Sequence, residues 1–470
     1  MTIARLGLLA LALLTPLLIA KQGRDLKLFA VQLLALFALT VATSRWLLNR
    51  DRSRLPPVLL PLGAWLAALI AAGYHSDSPA ALDELVHQCS FLAIVAAASL
   101  ACSREDLKRV LLLWSVTFVC VGGYALVQRL GYEPNDEFRR WHSQARVFST
   151  FGNPSFLGTH MAFLLPLFVG AAAVGAGSRS GRRLWSAVAA LTILILYWTF
   201  SRGAWLGAAA GLAAFAYCAS PWRDVQRTLG KIPKGIIVLG SILVVVVLVA
   251  VIPREHLQRR TDRLPLWQGT LNMIKAKPLG GWGLGAFPAE YRPFAPPAFA
   301  KRMQEDNTFA EHPHCEYLHV AVESGITGLG LFVWLLACLV RQAAWRGRNG
   351  DRLAAAALGA LVAVLVHIAV DRNFRLASTA GPFWLLAGLL YSRSHSSEHQ
   401  DPLSLSLSPT LWGRSSAGRL LPTGEGGRLR AESARPGGGH QKHIPALAMI
   451  AALTLGLALA VWTLRPLHAS

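Results

Sequence analysis

The stretch "HPHCEYLHVAVESGITGLGLFVWLLACLV", His312 to Val340, sets three histidines and two glutamates at the foot of a long apolar run. From Glu316 onward that run is long enough, as a helix, to cross a hydrocarbon core of about 30 Å. Titratable groups are costly at a membrane boundary, so those found there mark candidate functional sites. The stretch therefore reads as a membrane helix with a candidate site at one end.

Similar runs recur along almost the whole chain. They predict spans near 5–20, 28–48, 57–73, 85–102, 109–128, 152–177, 184–200, 203–218, 235–252, 316–340, 353–370, 377–392 and 444–464. The first is short and the turn at Thr199–Gly203 is tight, giving about 12 (12–13) transmembrane helices. Composition agrees: 53% of the 470 residues are hydrophobic and 15% are charged, where a soluble chain carries about 25% charge. The fold class expected is an all-α polytopic integral membrane protein. The first segment has no small-residue cleavage site and is expected to be retained as a helix.

The net charge of +21 does not point to nucleic acid, because the basic residues recur in alternate loops. They gather at Arg50, Arg52 and Arg54; Arg104, Lys108 and Arg109; Arg179, Arg182 and Arg183; Arg223, Arg227, Lys231 and Lys234; and Arg341, Arg346, Arg348 and Arg352. The positive-inside rule makes those loops cytoplasmic. Only the short loop with Lys21, Arg24 and Lys27 disobeys. The acidic "HSDSPAALDE" (75–84) and two longer segments, 129–151 and 253–315, then face outward.

These readings divide the chain into N-terminal transmembrane helices (1–128), central transmembrane helices with an outward loop (129–252) and a large outward loop (253–315). C-terminal transmembrane helices (316–392), a basic linker (393–442) and a final transmembrane helix (443–470) follow. The linker is rich in Ser, Gly, Pro and Arg, the composition of a disordered tether. The outward loop of 63 residues carries Trp267, Trp282, Phe287, Tyr291, Phe294, Phe299 and Phe309, so short helices are expected in it rather than disorder. Of six cysteines, five fall in expected spans, which leaves no disulfide framework and no CxxC pair.

Three pieces of the outward surface carry candidate chemistry. In "TFSRGAW" (199–205), Arg202 stands at the head of a span, either snorkelling to lipid phosphate or holding an anion at the helix N-terminus; Gly203 allows close approach. Arg263 heads the amphipathic "LWQGTLNMIKA", either as a solvated loop residue or as an anion ligand. The basic cluster Arg254, Arg259 and Arg260 precedes it. The glycine-rich "PLGGWGLGAF" (278–287) lacks the GK[ST] of a phosphate loop. His314, Tyr317, Leu318, Ala321 and Val322 share one helical face at i, i+3, i+4, i+7 and i+8. His312 and His314 are two apart and no HExxH exists, so a metal site has no support in the spacing. A single histidine facing arginines suits a general base, beside the plainer reading of an interfacial histidine.

In order, "RVFSTFGNPSFLG" (146–158), "SRGAW" (201–205), "RLPLW…PLGGWGLGAF" (263–287) and "HCEYLHVAVESGITG" (314–328) resemble the O-antigen ligase and polymerase superfamily of bacterial envelope glycosyltransferases. The ligase signature is a histidine, then Asn or Ser, nine residues, and GxxG. Here His314 is followed by Cys315, nine residues, Gly325 and Gly328, with Cys315 as the departure. The resemblance covers roughly residues 145–390. It implies a GT-C-like fold, a multi-pass protein of the bacterial inner membrane, and an active site facing the periplasm. It also implies a donor glycan on undecaprenyl pyrophosphate and a lipid A-core sugar hydroxyl as acceptor, in lipopolysaccharide biosynthesis. Transfer in the family is inverting and needs no metal, cofactor or nucleic acid.

Carried over by position, His314 is the implied base, and Arg202 and Arg263 the arginines that hold pyrophosphate. Arg146 and Asn153 are further implied substrate ligands, and His312, Tyr317 and Glu323, beside the base in the signature, are expected to bind substrate as well. An O-antigen polymerase and a protein O-oligosaccharyltransferase share much of this pattern. A small-anion transporter is the alternative from another class, and it would scatter ionisable residues through the spans.

Overall fold

The computed structural model describes residues 2–17, 23–48, 55–139, 146–174, 179–219 and 263–392. The expected spans at 235–252 and 444–464, the linker 393–442 and the Arg254–Arg260 cluster lie outside the described residues. Within them the chain is helical, without a strand. The principal helices are α1 (Thr2–Leu17), α2 (Gly23–Leu48), α3 (Leu59–Tyr74), α4 (Ala81–Ala101), α5 (Arg104–Arg129), α6 (Pro154–Val174), α7 (Arg179–Trp198) and α8 (Arg202–Ala219). After them come α9 (Arg263–Ala276), α10 (Pro297–Glu305), α11 (Glu316–Arg348), α12 (Arg352–His367) and α13 (Ala377–Leu390). Among the described residues four are long and apolar enough to cross a membrane: α4, α5, most of α6 and α11. Shorter apolar helices include α3, α12 and α13.

Local chemistry fixes several of the ends. The Asp106 carboxylate accepts a hydrogen bond from the Ser103 amide (2.8 Å) at the start of α5 and pairs with Arg5 (3.3 Å) and Arg109 (2.7 Å). Asp351 caps α12 by accepting from the Ala354 amide (3.0 Å), and it pairs with Arg346 at 2.7 Å. Asn153 does the same for α6, its side-chain oxygen accepting from the Ser155 amide (2.8 Å). The Asp106 and Asp351 clusters sit at one end of the bundle. The α3–α4 turn, the loop carrying α9 and α10, and the α12–α13 turn gather at the other.

The core around α12 is built on small residues. A Cβ on Gly207 would meet the Ala363 carbonyl oxygen at 2.4 Å, and one on Gly211 would meet that of Gly359 at 2.4 Å. Helices α8 and α12 thus touch along backbone, the close packing that small residues at four-residue spacing allow. That contact brings the head of α8 against the end of α12, where the site lies.

Residues 263–315 fold as the aromatic content predicts, into short helices with a core of their own: Leu266, Met273, Phe287, Tyr291, Phe299 and Met303, closed by Val322 of α11. The glycine-rich turn is the fastening. Helix α11 is interrupted at Gly325, whose φ of +70° and ψ of −177° belong to a region essentially restricted to glycine. The interruption frees backbone groups, and the turn takes them. Ile326 N–H donates to the Pro278 carbonyl (2.8 Å), Trp282 N–H to Val322 (2.7 Å) and Gly283 N–H to Glu323 (3.0 Å). On the turn's other side, the Ser76 and Ser78 hydroxyls donate to the carbonyls of Leu284 (2.7 Å) and Gly285 (2.9 Å). The glycines that resemble a phosphate cradle in sequence are therefore a docking surface between α3–α4 and α11.

Candidate active site

His314 stands two residues ahead of α11, with a left-handed φ of +50°, uncommon for a residue with a side chain. This corrects the expected helical face, because left-handed backbone rather than helical periodicity aims the imidazole. The segment is clamped on two sides. Trp267 of α9 donates its indole N–H to the Pro313 carbonyl (2.8 Å), and Glu316 N–H donates to the carbonyl of Ile368, just past α12 (2.9 Å).

Asp371, in the α12–α13 turn, is where the charges converge. Its Oδ1 lies 3.6 Å from His314 Nδ1, and its Oδ2 lies 3.9 Å from Arg263 Nη2 and 4.0 Å from His367 Nε2. The Ser155 hydroxyl donates to Oδ2, and the Arg372 amide to Oδ1 at 2.8 Å. Burial alone would raise the Asp371 pKa. The contacts with His314, His367, Arg263 and Ser155 outweigh it and hold this carboxyl well below the usual range. Asp371 Oδ1 thus faces the Nδ1 edge of the His314 ring, placing a carboxylate behind the imidazole.

Arg202 is partly buried at the head of α8, pressed by burial and by the positive charge of Arg263. Two guanidiniums held against their mutual repulsion make a site for a polyvalent anion. Gly203 allows close approach as the sequence suggests, but the neighbour is His367: a Cβ there would come within 2.7 Å of its ring. His367 is in turn fixed by Thr159, whose hydroxyl is 2.9 Å from Nδ1 and accepts from Asn373.

The other predicted residues sit around this centre. His312 is mostly buried beside Glu311 (3.7 Å). Burial, with the charges of His319, Arg372, Arg375 and His314, draws its pKa down to about 2, so it is a neutral ring at physiological pH. Arg146 donates through Nε to the Thr199 carbonyl (2.9 Å), tying residues 146–151 to the turn that carries Arg202. Asn153 caps α6, whose first turn supplies Ser155. Tyr317 donates its hydroxyl to the Leu365 carbonyl (3.0 Å), joining α11 to α12.

Glu323 is placed elsewhere. It is buried in an ion cluster in which Arg375 reaches Glu84 (2.8 Å), Glu316 (3.1 Å) and Glu323 (2.6 Å), while His319 Nε2 lies 3.3 Å from Glu323. Glu323 also accepts from the Gly285 amide (2.8 Å), so the cluster pins the glycine turn. The three carboxylates hold Arg375 firmly protonated against the cost of burial. This cluster is adjacent to the site and not part of its open surface.

Beside His314 opens a cleft of about 590 Å³. Arg263 and His314 line it together with Arg302, Asp306, Phe309 and Glu311. The arrangement offers a buried-side carboxylate, an imidazole whose second nitrogen is available, two guanidiniums and room for a polar substrate. It can accept a proton from a hydroxyl while neutralising charge on a departing anion.

Asp371, Ser155, His367 and Arg375 were not among the residues singled out from sequence. A signal was present in "HIAVDRNFR" (367–375), which places four titratable residues between two apolar helices at the site end. Residues 187–333, which include Arg202, Arg263 and His314, match a family model described as O-antigen ligase. No curated protein matches the chain.

Proposed function

Since the segment 187–333 belongs to the O-antigen ligase and polymerase superfamily, we propose that this chain is a glycosyltransferase that moves a glycan from a polyprenyl pyrophosphate, undecaprenyl pyrophosphate, to a sugar hydroxyl of lipid A-core at the periplasmic face of the inner membrane. The observation that carries the reading is the convergence of His314 and Arg263 on Asp371, with Arg202 alongside. His314 takes the proton of the acceptor hydroxyl as its oxygen bonds to the anomeric carbon. The bond from that carbon to the pyrophosphate oxygen breaks on the opposite face, and its electron pair leaves with the pyrophosphate. Arg202 and Arg263 stabilise the growing charge, and the product sugar is inverted. Arg146, Asn153 and Tyr317 act on this reading by holding the turns that present Arg202, Ser155 and His314. The spacing from His314 to Gly325 and Gly328 favours a ligase over a polymerase.

A strain deleted for this chain tests the reading. Full-length polymer stranded on the lipid carrier, with bare lipid A-core, is the expected result. Core bearing a single repeat would make the enzyme a polymerase, and unchanged lipopolysaccharide with altered glycoproteins would move the acceptor to protein. Arg202→Lys and Arg263→Lys should each slow transfer by about 10²–10³-fold in a purified assay, comparable to losing an oxyanion donor. An ammonium keeps the charge but not the planar fork. Full activity in both lysine variants would remove the bidentate argument.

A further inference from the structure

We propose that the cleft beside His314 is the acceptor subsite and that it is built for an uncharged sugar ring, with Phe309 as the stacking face and the Arg372–Glu311 pair as the hydroxyl-binding fork. This rests on the glycosyl-transfer reading and deepens it, since nothing above gives Phe309 or the Arg372–Glu311 pair a role.

The position follows from the base. His314 and Arg263 line the cleft, and Arg202 lies at the head of α8 outside its lining. A molecule occupying the cleft therefore meets the base and borders Arg263, while Arg202 stays clear of it.

The lining chemistry selects the class of ligand. With Arg263 assigned to the donor, the cleft retains two arginines, Arg302 and Arg372, and two carboxylates, Asp306 and Glu311. Their charges cancel, and His312 adds none because its ring stays neutral. A phosphorylated acceptor would meet as much repulsion as attraction here. A ring of hydroxyls, each both donor and acceptor, can use both signs at once. Arg372 Nη1 lies 3.3 Å from Glu311 Oε2, which sets a donor and an acceptor side by side at the spacing of neighbouring ring hydroxyls.

The apolar half of the recognition is also present. Phe309 is 71% exposed, an unusual situation for a large aromatic. It lines the cleft beside Phe299, over which the Arg302 guanidinium is stacked at 5.1 Å. An exposed ring next to paired polar groups presents a flat apolar face to the C–H side of a sugar.

The experiment is steady-state transfer by the full-length protein in nanodiscs, with lipid-linked glycan as donor and purified lipid A-core as titrated acceptor. Phe309→Ala should raise the acceptor KM about tenfold and leave the donor KM within twofold. Glu311→Gln should act in the same direction. Tyr74→Ala, an exposed residue outside the cleft lining, should change neither constant. Enzymatic removal of the acceptor's phosphates should leave its KM within twofold. An unchanged acceptor KM in Phe309→Ala, or a rise in the donor KM instead, would overturn the subsite. A tenfold loss on dephosphorylation would overturn the uncharged-ring assignment. Absence of transfer by the unmodified protein would count against the proposed glycosyl transfer itself, a result distinct from all of these.

Discussion

Replacing His314 with alanine leaves a protein that accumulates in the membrane and transfers no measurable glycan. General-base assistance is typically worth about 10²–10⁴-fold, and here the loss is expected at the upper end. Asp371 backs the imidazole, and without His314 the hydroxyl has only water to take its proton. The imidazole is also partly exposed, at 45% of its side chain, so truncation removes little packing. Alanine must still adopt a φ near +50°, a modest cost that histidine already bears. Folding and chemistry are therefore separable in this variant. Size-exclusion behaviour and thermal stability in detergent should match those of the unmodified protein, while product formation is lost. A variant that keeps full activity would remove His314 from the mechanism.

Arg375→Met should be the most destabilising single change in the described residues. The side chain is about 10% exposed and reaches three carboxylates, two of them on α11 and one on α4. Removing one member of a buried ion pair typically costs about 3–5 kcal/mol, because the partner remains buried and charged. Here three partners lose their cation together. Glu316 and Glu323 lie seven residues apart on α11, and Glu323 also holds the Gly285 amide. The variant should thus loosen the glycine turn as well as the helix contact. The check is thermal unfolding of the detergent-solubilised protein, with Arg375→Lys falling between the two because an ammonium cannot span all three acids. A melting temperature unchanged by methionine would show that the cluster contributes nothing.

The helices were legible in the sequence because the apolar runs are long and the bilayer sets their length. The expected span at 353–370 and the helix Arg352–His367 differ by three residues or fewer at either end. The short helices of residues 263–315 were legible as a class, through aromatics that need burial. Arg202, Arg263 and His314 were legible by resemblance, and the structure brings them to one end of the bundle. What could not be read was Asp371, on which His314 and Arg263 converge. Asp371 lies 57 residues after His314, and no periodicity links a turn residue to a partner across two helices. Glu323 illustrates the reverse. Its neighbourhood to His314 in sequence suggests substrate contact, yet it lies about two turns into α11 and pairs with Arg375. The glycines of 278–285 were legible as a turn but not as the surface that seals a broken helix, since the break itself depends on Gly325 meeting the Leu279 carbonyl.

That broken helix has a mechanical consequence. A rigid rod running from the bilayer to the active centre would carry every change of tilt or membrane thickness straight to the imidazole. With the rod divided at Gly325, the piece that starts at Glu316 is held by residues 278–285 and Arg375, while the longer piece beyond is tied by Ile326 to Pro278 and by Arg346 to Asp351. The joint breaks the continuity of the rod, so a tilt of its long piece is not carried rigidly into the segment that ends in the base.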